Sequence, residues 1–184
     1  MTQTNAIGPT DSVGPTNPIG AANSIDTNSA GPTLSDWQKR STSRFGRWLF
    51  TRALCRRAPY FASIKPQFLE LRPAVCVVLM PRQNSVAGPG ATVHALAIAN
   101  LCELAASTVT EITLPGTMSW HSRGMTIEYL RRAESDITAT ARLNKTEWGE
   151  AQNVAVPVTA VDRNGTEVAR AVITMRVEPA AVAR

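Results

Sequence analysis

His94 and Glu103 are the two residues of this chain whose types and spacing could do chemistry. They lie nine positions apart, in Gly90-Ala91-Thr92-Val93-His94-Ala95 and Asn100-Leu101-Cys102-Glu103, within a run that is otherwise small and mostly apolar from Ala91 to Ala106. Ionisable side chains are seldom left in such surroundings unless they are paired or used. A carboxylate inside an apolar helix is a candidate general base or nucleophile. The helix N-terminus offers backbone N–H groups, that of Ala95 first, to a developing oxyanion. His94 would order the loop or polarise a carbonyl. Asn100, about 60° around the helix from Glu103, could orient the acid or a water.

Spacing restricts how the two can cooperate. Nine residues make about two and a half helical turns, so side chains at 94 and 103 would point about 180° apart and be separated by about 14 Å. With His94 in helical register, a site that uses both needs two chains, one giving the imidazole and the other the carboxylate. The competing reading is structural: a helix-start His bonded to backbone, and a Glu103 paired with an arginine across an interface. Cys102 has no His at a useful angle to activate it. His121, in Ser119-Trp120-His121-Ser122-Arg123, reads as a loop residue at the mouth of a site.

These residues need a helix over 91–108 and a cover for it, because a helix apolar nearly all round must be buried nearly all round. Val75-Cys76-Val77-Val78-Leu79-Met80 is apolar on both faces, as a central strand is. After Pro115-Gly116 and a loop to Gly124, four strands are expected as a meander: Met125–Ala133, 137–143, 154–161 and 168–177. Asp162-Arg163-Asn164-Gly165 is the turn between the last two. The prediction is an α+β domain over residues 36–180, a curved antiparallel sheet wrapped around one long helix. One further helix is expected over 36–58, capped by Asp36 and ended by Pro59. Phe45, Trp48, Leu49 and Leu54 are its candidate apolar side, among seven Lys and Arg residues. Such a helix can lie on an anionic membrane or pack on the sheet, and packing is the favoured expectation. Residues 1–35, built from Thr, Asn, Ser, Gly, Pro and Ala with an imperfect Gly-Pro-Thr repeat, read as a disordered low-complexity tail.

Composition narrows the function classes. With 184 residues, 43% hydrophobic and 5% aromatic, the chain can build one core from small aliphatic side chains. A net charge of +5 suits an anionic ligand but is too modest and scattered to indicate nucleic acid. Cys55, Cys76 and Cys102 lack metal-ligand spacing and read as free thiols, and with only two His residues a zinc site is not expected. No apolar run reaches the roughly 20 residues that span a bilayer, and no secretory signal is visible. A cytoplasmic protein is the expectation.

The order of elements and the helix motif resemble the hotdog fold of acyl-CoA thioesterases. The nearest likeness is to a hotdog family of poorly defined function that carries an Asn-x-x-Gly-Thr-Val-His-Ala-type loop followed by Asn-Leu-x-Glu. Thr92-Val93-His94-Ala95 and Asn100-Leu101-Cys102-Glu103 match those motifs, with Ala58-Pro59-Tyr60-Phe61, Gly124-Met125-Thr126, Tyr129 and Ala133 in support. The likeness covers residues 45–178. It departs at Ala91, where the loop usually has Gly, and at Val86-Ala87-Gly88-Pro89, which reads as an insertion after Asn84. The resemblance implies thioester hydrolysis by a homodimer or dimer of dimers, with Glu103 at the acid position and Ala95, His94 and Asn100 around the reacting carbonyl. It further implies Asn84, Gly90, Thr92, Arg123, Gly124 and Met125 at the substrate, and no cofactor beyond the coenzyme A of the substrate itself. Arg131, Arg132 and Lys145 join Arg123 as candidates for the coenzyme A phosphates. The second reading is a non-catalytic module that binds acyl-CoA or an acyl carrier protein. A hydratase-type hotdog enzyme ranks last, because the Asp/His dyad such enzymes place near the helix start is missing.

Overall fold

The computed structural model describes residues 31–145 and 147–180. Its centre is α3, Ala95–Thr113. Leu101, Cys102, Leu104, Ala105, Ala106 and Val109 on this helix are wholly buried. By length and composition α3 could cross a membrane; instead it lies against the sheet, touching β2 (Val75–Met80), β3 (Met118–Tyr129), β4 (Ile137–Arg142), β5 (Gln152–Val161) and β6 (Glu167–Pro179). Inward residues of the strands, among them Val78, Met80, Ala139, Ala141, Val156, Ile173 and Met175, form one core with it. Thr110 and Thr113 turn their hydroxyls back to the carbonyls of Ala106 and Val109, so buried polar atoms stay satisfied. Pro115 forces Leu114 out of helical geometry and ends the helix. That end lies five residues beyond the expected 108, and the first helical residue is Ala95 rather than 91.

The sheet is antiparallel with strand order β1-β2-β4-β5-β6-β3, where β1 is Gln67–Arg72. Only β4, β5 and β6 run as a meander. β3 was expected to continue into it, but pairs with β6 from Met118↔Pro179 to Tyr129↔Ala169 and forms the far edge. It also starts seven residues before Met125, in the segment expected to be a loop. The turn at Asp162–Gly165 is as expected: Asp162 Oδ1 accepts from the Asn164 and Thr166 N–H groups at 2.8 Å, and Gly165 takes φ 80°.

The N-terminal region departs from the single helix expected over 36–58. Two helices form, α1 (Pro32–Arg40) and α2 (Arg44–Arg57). Asp36 is not a cap; it lies inside α1, ion-paired with Arg40. Ser43 caps α2, its Oγ accepting from the Gly46 N–H at 2.9 Å. The two helices meet so closely that a Cβ on Gly46 would fall 2.0 Å from the Arg40 carbonyl oxygen. The tail expected over 1–35 loses its last residues to α1, and residues 1–30 lie outside the described residues. The buried side of α2 is Phe50, Thr51 and Leu54, whereas Phe45 and Trp48 face outward. Phe50 stands edge-on to Trp37 at 5.1 Å and to Phe68 of β1 at 5.3 Å, which pins both helices to the sheet.

The core can be tested by chemical denaturation. Leu101→Ala should lower the unfolding free energy by about 2–5 kcal/mol through the cavity it leaves. Phe45→Ala, at an exposed site, should change it by no more than about 0.5 kcal/mol.

Candidate functional site

Two features meet at the start of α3. The first is a loop in which Gly90 and Ala91 both take left-handed backbone, φ 66° and φ 61°. Glycine does so freely, whereas an L-residue with a Cβ is strained there. Thr92 Oγ1 donates to the Pro89 carbonyl and the Arg82 guanidinium to the Ala91 carbonyl, both at 2.8 Å, which holds the strained turn. Arg132 lies against Gly90, its Nη2 2.8 Å from where a Cβ would sit. Asn84 stands apart on a short 3₁₀ turn, Asn84–Val86, exposed.

The second feature is His94 itself. It is the N-cap of α3, with extended φ −66° and ψ 136°, and its Nδ1 accepts the Leu96 N–H at 3.1 Å. Helical register therefore starts after His94, and the half-turn angle expected between residues 94 and 103 does not apply. An accepting Nδ1 leaves the neutral ring's proton on Nε2, as a donor. Ala95, the first helical residue, has an N–H with no acceptor within the helix. Its carbonyl accepts from the Tyr129 hydroxyl at 3.1 Å, which ties the end of β3 to the helix start.

Glu103 is half-buried on α3, and its carboxylate accepts a short hydrogen bond from Ser122 of β3. It shares no hydrogen bond with His94 or with Asn100 among the described residues. Asn100 is buried and turns the other way, its Nδ2 donating to Ser63 Oγ at 3.4 Å. Glu103 is not the only carboxylate on the helix, because α3 runs on to include Glu111. That residue accepts from Thr33 and lies 3.9 Å from Arg57, a structural role between helices.

Gly124 sits at a register shift in the β3–β6 pairing between Ser122 and Gly124. Arg123 is exposed there and reaches Asn153 Oδ1 at 3.3 Å, while Met125 packs on the core. His121 is an exposed residue of β3, not of a loop. Cys102, next to Glu103, is wholly buried; burial, then the Glu103 charge, pushes its thiol up to about 12. It is therefore a protonated core residue at neutral pH and no nucleophile. Among the described residues no three His, Cys, Asp or Glu side chains cluster as metal ligands would.

Residue-by-residue reading missed Ser122 as the partner of Glu103, Ser63 as the partner of Asn100, and Arg82 on the Ala91 turn. The pairs are 19, 37 and 9 positions apart. Only the turn signal of Gly88-Pro89-Gly90 marked any of these places in advance.

A family model described as a domain of unknown function, DUF4442, matches residues 46–177. The chain belongs to this family. A crystal structure of the structural-genomics target APC5556 is 38% identical, covering 80% of this chain and 98% of that one, with a TM-score of 0.71. A thioesterase from Haemophilus influenzae is 14% identical over 71% of this chain and 89% of its own, TM-score 0.63. A thioesterase family protein from Silicibacter pomeroyi is 17% identical over 71% and 96%, TM-score 0.62. These likenesses establish the hotdog fold of the DUF4442 chain. No curated protein matches it.

Two measurements test the local geometry. Ala91→Gly should relieve left-handed strain and raise stability by roughly 0.5–1 kcal/mol, net of the extra entropy glycine gives the unfolded chain; thermal unfolding reads it. In a native thiol titration at neutral pH only the half-buried Cys55 should react, while Cys76 and Cys102 require denaturant, since burial raises all three thiols and most strongly the latter two.

Proposed function

We propose that this protein hydrolyses the thioester of an acyl-CoA in a site completed by two copies of the chain. The observation that carries the reading is the Glu103 carboxylate, held by Ser122 of the edge strand on a helix that is mostly buried. In this reading Glu103 of one protomer takes a proton from water, which attacks the thioester carbonyl; as an alternative, the carboxylate itself attacks and the resulting anhydride is hydrolysed. The Ala95 N–H at the start of the other protomer's α3, with His94 Nε2–H beside it, would donate to the oxyanion. Collapse of the tetrahedral intermediate breaks the C–S bond and releases coenzyme A. Carboxylate and water suffice for this chemistry, so no further cofactor is called for.

Several features support assembly from two copies. His94 and Glu103 each have their own intrachain partner and share no hydrogen bond among the described residues. β3 is an edge strand twelve residues long, paired on one side only and largely exposed. Such an edge is a ready template for a second strand. Arg82 and Arg132, both against the Gly90-Ala91 turn, replace Arg131 and Lys145 as the favoured phosphate contacts. The names of the solved relatives, thioesterases from two bacteria, agree with the substrate class.

A second reading is a binding module without turnover, and Ala91 favours it. It sets a side chain at a left-handed position, in a loop where the resemblance expects glycine. Both readings predict acyl-CoA binding, and turnover separates them. In a thiol-release assay over a panel of acyl-CoAs, Glu103→Gln should lower kcat by about 10²–10⁴. Ser122→Ala should lower it by roughly tenfold, the worth of one charge-assisted hydrogen bond. Calorimetric binding with equal, background-level release by wild type and Glu103→Gln would establish the binding module instead.

A further inference from the structure

A wide groove lies away from Glu103. It has a volume of about 820 Å³ and runs between α2 and β1, at the opposite edge of the sheet from β3. Arg44, Arg47, Arg52 and Lys65 line it, with Trp48 and Leu69. None of these four cations has an ion-pair partner among the described residues. The reason is visible in the sequence. Residues 37–65 contain eight Lys and Arg and no Asp or Glu, whereas the other eleven basic residues are outnumbered by fourteen acids. A chain of net charge +5 is thus a +8 segment joined to a remainder of −3.

Apolar rings stand beside these cations: Phe45 is 68% exposed, and Trp48, which lines the groove, 52%. Phe45 and Trp48 stack on each other at 5.7 Å, and the Arg52 guanidinium lies 5.5 Å from the Trp48 ring centre. Exposed rings of this size, set among unpaired arginines, need an explanation that a solvated helix face does not supply.

We propose that this face is a docking surface for an anionic phospholipid membrane, with lipid phosphates in the arginine-lined groove and the rings of Phe45 and Trp48 at the headgroup boundary. Trp and Phe on one side of a basic helix suit that boundary, and cations near the surface supply the attraction. The charge asymmetry orients the molecule, because its acidic remainder is repelled by the surface that attracts α2. Single-stranded nucleic acid needs open ring faces on which bases stack, but here Phe45 and Trp48 stack on each other and Arg52 lies over Trp48. An acidic carrier protein would meet the arginines yet leave the two exposed rings unmatched. The membrane face and the β3 edge lie at opposite ends of the sheet, so both can be occupied together. The inference rests on no part of the thioesterase reading.

The test is co-sedimentation of the full chain with vesicles, which requires no turnover. Vesicles of phosphatidylcholine with about a third phosphatidylglycerol should carry the protein down, neutral phosphatidylcholine vesicles should not, and high salt should release it. Arg44→Gln and Arg52→Gln should each weaken the partition by about fivefold. Trp48→Ala should weaken it with every cation in place, whereas Arg170→Gln, on β6, should leave it nearly unchanged. Unaltered melting temperatures would show the variants folded, as their exposure implies. Absence of sedimentation at low salt overturns the proposal. So does an equal loss from Arg170→Gln, which would mean net charge alone. Displacement of the protein from vesicles by a stoichiometric acidic carrier protein would reassign the face to a protein partner.

Discussion

The rest of the structure depends on the burial of α3. Thirteen of its nineteen residues are buried, and a helix so apolar has no stable place except inside a cover that reaches most of its circumference. One flat sheet covers one face. A curved six-stranded sheet reaches further, and the strand that follows the helix must cross to the β6 side to complete it. That requirement accounts for a sheet order in which β3 lies last rather than next to β4. It also explains why the strands turn small residues inward, such as Ala139, Ala141, Ala160 and Ala169, all wholly buried. Larger side chains there would hold the sheet off the helix.

The same constraint places the candidate site. The first turn of α3 emerges from the cover, with His94, Ala95 and Leu96 exposed, and Glu103 is half-buried where the helix faces β3. These two polar positions are each held by a different element: the cap interaction for His94, the edge strand for Glu103. β3 is therefore both the last piece of cover and the support of the carboxylate. Tyr129 at its end and Ser122 near its middle bind the strand to the helix at two heights.

Much of this was legible in the chain because burial leaves a strong pattern. The mostly apolar run from Val93 to Ala106 announced the central helix, Val75–Met80 the inner strand, and Asp162–Gly165 the hairpin. What was not legible lay where burial is weak. Ser119-Trp120-His121-Ser122-Arg123 reads as a polar loop because an edge strand exposed on both faces lacks the alternation that marks a strand. Ser43 was overlooked as a cap because Asp36 offered a stronger one upstream, and the crowding at Gly46 exists only once the chain has turned. Contacts such as Ser122 with Glu103 join segments whose neighbourhood is decided by the crossover of β3, which no local spacing encodes. Phe45 and Trp48 were assigned to the buried side of α2 by type, whereas the helix turns Phe50 inward to meet Trp37 and Phe68.

The cap of α3 has one more consequence. Most helices begin on a hydroxyl, amide or carboxylate, but here the acceptor is the lone pair of an imidazole. That lone pair is spent on the backbone, so the imidazole keeps only its Nε2 edge for anything that approaches the helix end. The same bond fixes the plane of the ring before any ligand arrives. An anion drawn to the positive end of the helix dipole therefore meets a donor whose direction is already set, and the ordering of that donor is a cost met in folding rather than in binding.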